Sequence, residues 1–516
     1  MTAVLETPAP RREPVARTAP AAGRRRRWPH GLLVLGVAAV AVAVRVAGLS
    51  QGPAYSDDEG TYVAQAWAVV HNGALAHYTY WYDHPPLGWL VVAGWQAVTS
   101  PFLHPSTAVL GGRELMVVLS AVVAALIVVI GRRLGLRWWA TATAGLLWAL
   151  SPLAVSYSRA VWLDDVAITF ALGAVACALS PRKHLWAFAG SGVLFGCAVL
   201  SKETALLMAP ALVLAVARTS AGRTRPFCLA AFSASALLVL SAYPLLAALK
   251  GELLPGPGHV SLVEAVSYQL QGRQSTGSPL DPTSGSAALV SRWLGVDPWL
   301  LGAGVLLTPL ALAVRRLAVP AVGVLVPVVI ALRPGYLPEP YVVALLPFCA
   351  LVVAGLLDAV LPRRLGMAGP LAGGALVATL AAAAWLPGLS QLRVDDATSR
   401  TLAAEQWVGG HVPRTDRLLV DDSIWVDLVD RGFNPRLGVI WFYKTDFAGG
   451  LDPSVRKALP NGYRDVQWVV VSPIMRSALA QNPNGLSELR KAIDHSTLVH
   501  TTGTGYGRFE IRKVQS

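Results

Sequence analysis

The sequence predicts a polytopic α-helical membrane protein that ends in a soluble α/β domain. Three observations predict it. The 516-residue chain is 54% hydrophobic and only 14% charged, with a mean hydropathy of +0.50, far more apolar than a water-soluble domain of this size. Apolar runs approaching about 20 residues, the length that crosses a bilayer core, recur between residues 31 and 388. Past Leu389 charges become frequent and short β-type runs set in.

Residues 1–30 are rich in Pro, Ala and Arg and close on Arg24–Arg27. They lack the apolar content to build a core, so a disordered, basic cytoplasmic tail is expected. The apolar stretch that follows has no Ala-x-Ala cleavage pattern before Tyr55, and it reads as an uncleaved first span. Candidate spans then cover 31–49, 114–131, 138–156, 164–180, 185–200, 203–217, 226–249, 298–314, 317–332, 340–361 and 367–388, about 11 transmembrane helices in all.

With the N-terminus in the cytoplasm, the inward loops carry Arg132/Arg133/Arg137, Arg182/Lys183, Arg218/Arg223/Arg225, Arg315/Arg316 and Arg363/Arg364. The outward stretch Val46–Gly112 carries neither lysine nor arginine. This asymmetry sets the orientation. Residues 87–100 are apolar but short, and counting them as a span would place Arg132 and Arg133 outside. They are therefore expected as a helix in the outer interface, with Trp89 and Trp95 at headgroup level. The first outer loop runs from 50 to 113, and the odd number of spans leaves the C-terminus outside.

The membrane domain thus covers 31–388 and an extracytoplasmic α/β domain covers 389–516. In the latter, 417–420, 467–472 and 508–512 read as strands and 486–494 as a helix. It has no glycine-rich nucleotide fingerprint. Asp421-Asp422 follows a strand, where a turn or N-cap role competes with a ligand role.

The net charge of +13 does not imply a nucleic-acid partner, because the excess sits in the tail and the short inward loops. The cysteines at 177, 197, 228 and 349 all fall in apolar runs without metal-ligand spacing, and they read as small buried hydrophobes.

The outward segments gather isolated ionisable residues. Asp57-Asp58-Glu59 with Tyr62 follows the first span. Adjacent carboxylates suit a general base or a metal site, while Ser56 before them equally suits a capped helix start. Asp83-His84-Pro85-Pro86-Leu87 is stiffened by its prolines, which present Asp83 and His84 in a defined direction. Arg159 precedes Asp164-Asp165 at one span start, and Lys202-Glu203 opens another. Ionisable residues at span ends are costly to bury and tend to be paired or functional. Arg333, Tyr336 and Glu339 lie in a Pro/Gly-stiffened outer loop. Isolated cations among outward acids suit a phosphate at the membrane surface. Asp57, Asp58, Asp83, His84 and His259 are the residues from which a divalent metal ion site would be built, if the fold gathers them.

Four segments in order, Asp58-Glu59-Gly-Thr-Tyr62, His84-Pro85-Pro86-Leu87, Arg159 through Asp164 and Ser201-Lys202-Glu203, resemble the polytopic glycosyltransferases of the GT-C superfamily. The nearest branch is that of the dolichyl-phosphate-mannose protein mannosyltransferases and the lipid A aminoarabinose transferases (glycosyltransferase family 39-like). The resemblance covers roughly residues 30–360. One departure is visible: the family often has lysine where His84 stands.

The resemblance implies a GT-C fold, a polyprenyl-phosphate-linked sugar donor held in the membrane lipid, and an acceptor hydroxyl on a protein, glycan or lipid. It implies an inverting transfer on the outer face. Asp58 is then the candidate base, in competition with Asp57, and Glu59 and Asp164 orient the acceptor or hold the base in its working state. Asp57, Tyr62, Asp83, His84, Arg159, Asp165, Lys202, Glu203, Arg333, Tyr336 and Glu339 are the candidate substrate-binding residues. Lys202, Arg333 and either Arg159 or His84 supply charge to the leaving phosphate.

The rival reading is a secondary transporter or lipid flippase, which would keep charges near the membrane midplane. Here they sit at outer span ends, apart from Arg45. The orientation is testable. A tag after residue 516 is expected to be labelled on intact cells and one before residue 1 only after permeabilisation; the reverse pattern overturns the assignment.

Overall fold

The computed structural model describes residues 30–99, 107–182, 184–362, 366–391, 396–446 and 452–515. The expected tail up to residue 29, Lys183 and Arg363/Arg364 lie outside the described residues.

The chain begins with α1 (His30–Val46), α2 (Asp57–Asn72), α3 (Leu87–Thr99) and α4 (Ala108–Arg133). It continues with α5 (Trp138–Leu150), α6 (Pro152–Tyr157), α7 (Leu163–Ala178) and α8 (Leu185–Ser201). Each expected span coincides with helix, but several are interrupted. Pro152 occupies the first turn of α6 with Ser151 as its cap, which breaks the expected 138–156 run. The 203–217 run opens as a 3-10 turn over Glu203–Met208 before Ala209–Thr219. Among the described residues, four helices are long and apolar enough to cross a membrane: Ala108–Arg133, Arg225–Leu249, Glu339–Val360 and Ala368–Ser390. The first of these starts six residues before the expected 114, which draws Arg113 into the helix.

The basic residues gather at one end of the bundle. The buried Asp358 pairs with Arg137 and, at 2.8 Å, with Arg316. Arg218 donates to the Arg315 carbonyl and Arg133 to that of Ala176. At the opposite end, the 50–113 segment is largely helical, as expected, with α2 and α3. Here the structure corrects the expectation for Trp89. It is fully buried, edge-on to Tyr80 at 5.8 Å, and does not sit at headgroup level. The reason is close packing of α3 on the bundle: Gly88 leaves room for no side chain between Leu163 and the Ser201 carbonyl.

The C-terminal part forms a five-stranded sheet of β1 (Leu418–Val420), β2 (Val439–Trp441), β3 (Trp468–Val471), β4 (Ser496–Thr502) and β5 (Phe509–Val514), in the order β2-β1-β3-β5-β4. The first three strands are parallel, β5 runs antiparallel to β3, and β4 pairs with β5 as an edge. Every residue of β1, β2 and β3 is buried, as in parallel strands covered on both faces. The apolar core of this sheet is continuous with α2, α3 and the tyrosines at 78, 80 and 82. A second, larger core fills the helical bundle.

Candidate active site

The site is built on the first turn of α2. Ser56 caps the helix by accepting from the Glu59 amide at 3.3 Å, and the Glu59 carboxylate reaches back to the Ser56 amide at 3.2 Å. The segment is therefore the capped helix start that Ser56 suits, and Asp57 and Asp58 take no part in the cap.

Glu59 itself is fully buried. Both its oxygens receive Arg113 at 2.7 Å, and Oε1 also accepts from the Val161 amide at 2.8 Å. It is thus committed to protein partners, and its role is to fix α2 against α4 and the segment before α7. Asp57 is exposed and accepts from the Asp58 amide at 3.0 Å. Asp58 is half-buried and looks toward Lys202, His84 and Asp164.

The Asp83–Leu87 element is held from behind. Tyr82 adopts φ 57, rare for a residue with a side chain, and is tied down by its hydroxyl donating to Glu252 at 2.5 Å. The hydroxyls of Tyr80 and Tyr243 donate to the His84 carbonyl at 2.7 and 3.2 Å. Gln269 donates to the Asp83 carbonyl at 3.0 Å. So presented, the His84 ring bridges two charges: Nδ1 lies 3.1 Å from Glu203 Oε2, and Nε2 lies 3.0 Å from Lys202 Nζ. An ammonium has no lone pair to offer, so Lys202 donates to Nε2 and the ring proton sits on Nδ1, facing Glu203.

The fold therefore brings together Asp57, Asp58, Tyr62, Asp83, His84, Asp164, Lys202 and Glu203, drawn from four separate stretches of sequence. Tyr62 is buried among them, its ring 6.4 Å from that of His84. Burial pushes the Asp58 carboxyl up to about 6, with the neighbouring Asp57 adding to the rise and Lys202 and His84 opposing it.

Other expected residues go elsewhere. Arg159 donates to the carbonyls of Val44 and Ala47, where it caps the buried C-terminal end of α1 instead of facing the acids. Asp165 lies one residue further round α7 and interacts with Arg45. Arg333 is exposed, its guanidinium lying beside Gly335. Glu339 pairs with Arg292 at 3.7 Å on the rim of a separate cavity of about 210 Å³, which Ser56, Tyr157, Trp162 and Trp293 also line. Tyr336 reaches the cluster indirectly. The Arg273 guanidinium stacks 3.7 Å over its ring and interacts with Lys202.

Arg113 and Arg273 were both absent from the sequence-derived set. Arg113 stands just past the stretch free of Lys and Arg. Arg273 shares the expected outer segment 250–297 with Lys250 and Arg292, so no sequence signal sets it apart. Of the acids after β1, Asp421 is the expected N-cap, accepting from the Ser423 amide at 2.9 Å, whereas Asp422 reaches across to α2. His259 is exposed, with Nδ1 against the Val260 carbonyl. Among the described residues no three His, Cys, Asp or Glu side chains are arranged to hold a metal ion, so the residues present do not fit one.

Arg113→Ala strands a buried carboxylate, and a destabilisation of about 3–5 kcal/mol is expected. Thermal unfolding in detergent checks it. Arg113→Leu with Glu59→Leu is expected to recover part of that loss, and equal instability in both variants would remove the pair from its structural role.

Residues 83–246 match the family model described as dolichyl-phosphate-mannose-protein mannosyltransferase. No curated protein matches the chain by sequence. Among solved structures, it is similar to ArnT from Cupriavidus metallidurans bound to undecaprenyl phosphate, at 16% identity and a TM-score of 0.58, covering 94% of this chain and 98% of that one. It is similar to the Archaeoglobus fulgidus oligosaccharyltransferase tethered to an acceptor peptide, at 13% identity and a TM-score of 0.54, covering 95% and 74%. It is also similar to the arabinofuranosyltransferase AftD from Mycobacteria, at 16% identity and a TM-score of 0.51, covering 94% and 40%. The chain thus shares the fold of these three structures, and the family-model match lies over the His84 and Lys202 segments of the site.

Proposed function

We propose that this protein is a GT-C-type glycosyltransferase that moves a monosaccharide from a polyprenyl-phosphate donor to an acceptor hydroxyl at the outer face of the cell membrane, with inversion at the anomeric carbon. The observation that carries the reading is the juxtaposition of a half-buried acid, Asp58, with a cation held in place, Lys202 on His84 and Glu203. Asp58 takes the proton of the acceptor hydroxyl as its oxygen attacks the anomeric carbon. The bond from that carbon to the phosphate oxygen breaks on the opposite face, and the polyprenyl phosphate leaves with its charge.

Lys202 stabilises that charge, and Arg273, steadied on Tyr336, adds a second cation. His84 fills the position of the family's usual lysine by orienting Lys202, with Glu203 fixing its tautomer. Asp164 holds the electrostatic balance around Lys202 and Asp58. The cavity between Tyr157, Trp162, Trp293 and the Arg292–Glu339 pair lies beside Ser56 at the start of α2, and it is suited to the acceptor. The undecaprenyl phosphate in the Cupriavidus structure and the acceptor peptide in the Archaeoglobus structure support a lipid-linked donor and a protein, glycan or lipid acceptor. About eleven spans, a cytoplasmic N-terminus and a C-terminal domain outside complete the reading. No transporter is needed to account for Arg45, which is spent on Ser158 at 2.6 Å, the Ala149 carbonyl and the Trp148 ring.

In proteoliposomes offered a panel of polyprenyl-phosphate sugars, release of polyprenyl phosphate is expected for one donor. Asp58→Asn should lower that turnover by about 10²–10⁴-fold. Solute flux without any donor turnover would replace the reading with transport.

The base must be ionised to work, so kcat/KM should fall as pH drops below about 6 and level off above it. Removing a neighbouring negative charge eases ionisation, so Asp57→Asn should move this limb to lower pH. A limb that stays in place would take the pH dependence away from Asp58.

A further inference from the structure

The C-terminal domain touches the catalytic helix at one tight point. Any side chain at Gly60 would collide with the backbone of Asp422 and Ser423, so the turn after β1 rests directly on α2, two residues from Asp58. Beside this contact, the buried Asp422 accepts through Oδ2 from the Thr61 hydroxyl at 2.5 Å and the Tyr443 hydroxyl at 3.0 Å, and those two hydroxyls lie 3.2 Å apart. Asp57, Asp421 and Lys444 are the charged groups whose fields reach Asp422. The first turn of α2 is therefore gripped from two sides: Arg113 of the bundle holds Glu59, and Asp422 of the outer domain holds Thr61. Asp57 and Asp58 stand at the start of the helix, immediately ahead of both grips.

We propose that Asp422 is a positioning residue for the transfer, through which the C-terminal domain holds the Asp57–Asp58 turn in register with His84 and Lys202. The outer domain is then part of the catalytic apparatus and not a separate module tethered to it. A base displaced by a fraction of an ångström loses its alignment with the attacking hydroxyl while the donor phosphate site, on the Lys202 side, keeps its contacts. The inference rests on the transfer proposed above.

The test compares Asp422→Ala, Asp422→Asn and Thr61→Val with wild type, as full-length protein in lipid. Two measurements are made: polyprenyl-phosphate release across donor concentrations, and amide hydrogen exchange over residues 55–66. Asp422→Ala and Thr61→Val are expected to lower kcat on the order of 10–100-fold with donor KM nearly unchanged, and to speed exchange in the first turn of α2. Asp422→Asn keeps an acceptor oxygen for both hydroxyls and is expected to retain slow exchange and most of kcat. Thr61→Val removes a single hydroxyl and remains informative should Asp422→Ala fail to fold.

Unchanged kcat and unchanged exchange in a folded Asp422→Ala would overturn the proposal, as would a loss confined to KM. Absence of wild-type turnover defeats the proposed reaction and not the grip. The exchange arm then decides alone whether Asp422 holds α2, with slow exchange in Asp422→Ala counting against it.

Discussion

The buried pair between Glu59 and Arg113 is the constraint on which the rest of the cluster around Asp58, His84 and Lys202 depends. Two ions taken out of water cost several kcal/mol each unless their geometry and remaining hydrogen bonds are satisfied. Here both carboxylate oxygens are met by the guanidinium, and the Val161 and Ser56 amides complete the shell. That requirement for exact partners is what a mere apolar contact lacks: it specifies how far α2 is advanced along α4 and how it is rotated. The rotation leaves Asp58 looking across at Lys202 and Asp57 at the outer domain. An acid committed to protein partners thus determines where Asp58, the proposed base, stands.

The same logic explains why His84 serves where a lysine would be familiar. A second ammonium beside Lys202 would add repulsion that Glu203 alone must offset. A neutral imidazole instead accepts from Lys202 on one nitrogen and donates to Glu203 on the other, so the cation is oriented without being crowded. The carbonyl of His84 takes two tyrosine hydroxyls, which makes the ring's direction a property of the whole 80–84 segment and of Tyr243.

Much of this was legible in the sequence where chemistry and locality coincide. The acids after the first span, the proline-stiffened histidine and the Ser-Lys-Glu start were readable because each is a short local pattern, and the fold does bring them together. Apolar length found the helical runs for the same reason, although Pro152 breaks a helix that hydropathy treats as continuous. What failed was the assignment of partners. Arg159 has the look of an outward cation, yet its donors go to the carbonyls at the end of α1, whose need is visible only once two helices lie side by side. Trp89 carries an interfacial signature but is covered by its own neighbours. β2 spans three residues after a glycine and β4 is a largely polar edge, and neither has the alternation that betrays a strand. Arg273 sits in a stretch with no motif, and only its stacking on Tyr336 and its proximity to Lys202 single it out.

The shared core of the outer face has a consequence for how the protein is made. Residues 62–93 bury their apolar side chains against a sheet built from residues 418–514, and the Thr61–Asp422 bond closes a separation of 361 residues. A chain emerging at about 5–20 residues per second leaves the first outer segment without its partner for tens of seconds, while the intervening helices are synthesised and inserted. During that interval Trp67 and Tyr78 lack the Trp425 and Trp441 rings they pack against, and the turn bearing Asp57 and Asp58 lacks one of its two grips. The cluster around Asp58 is therefore completed only once residues 418–514 have been made, and a truncated chain carrying every motif of residues 58–203 lacks the grip on Thr61.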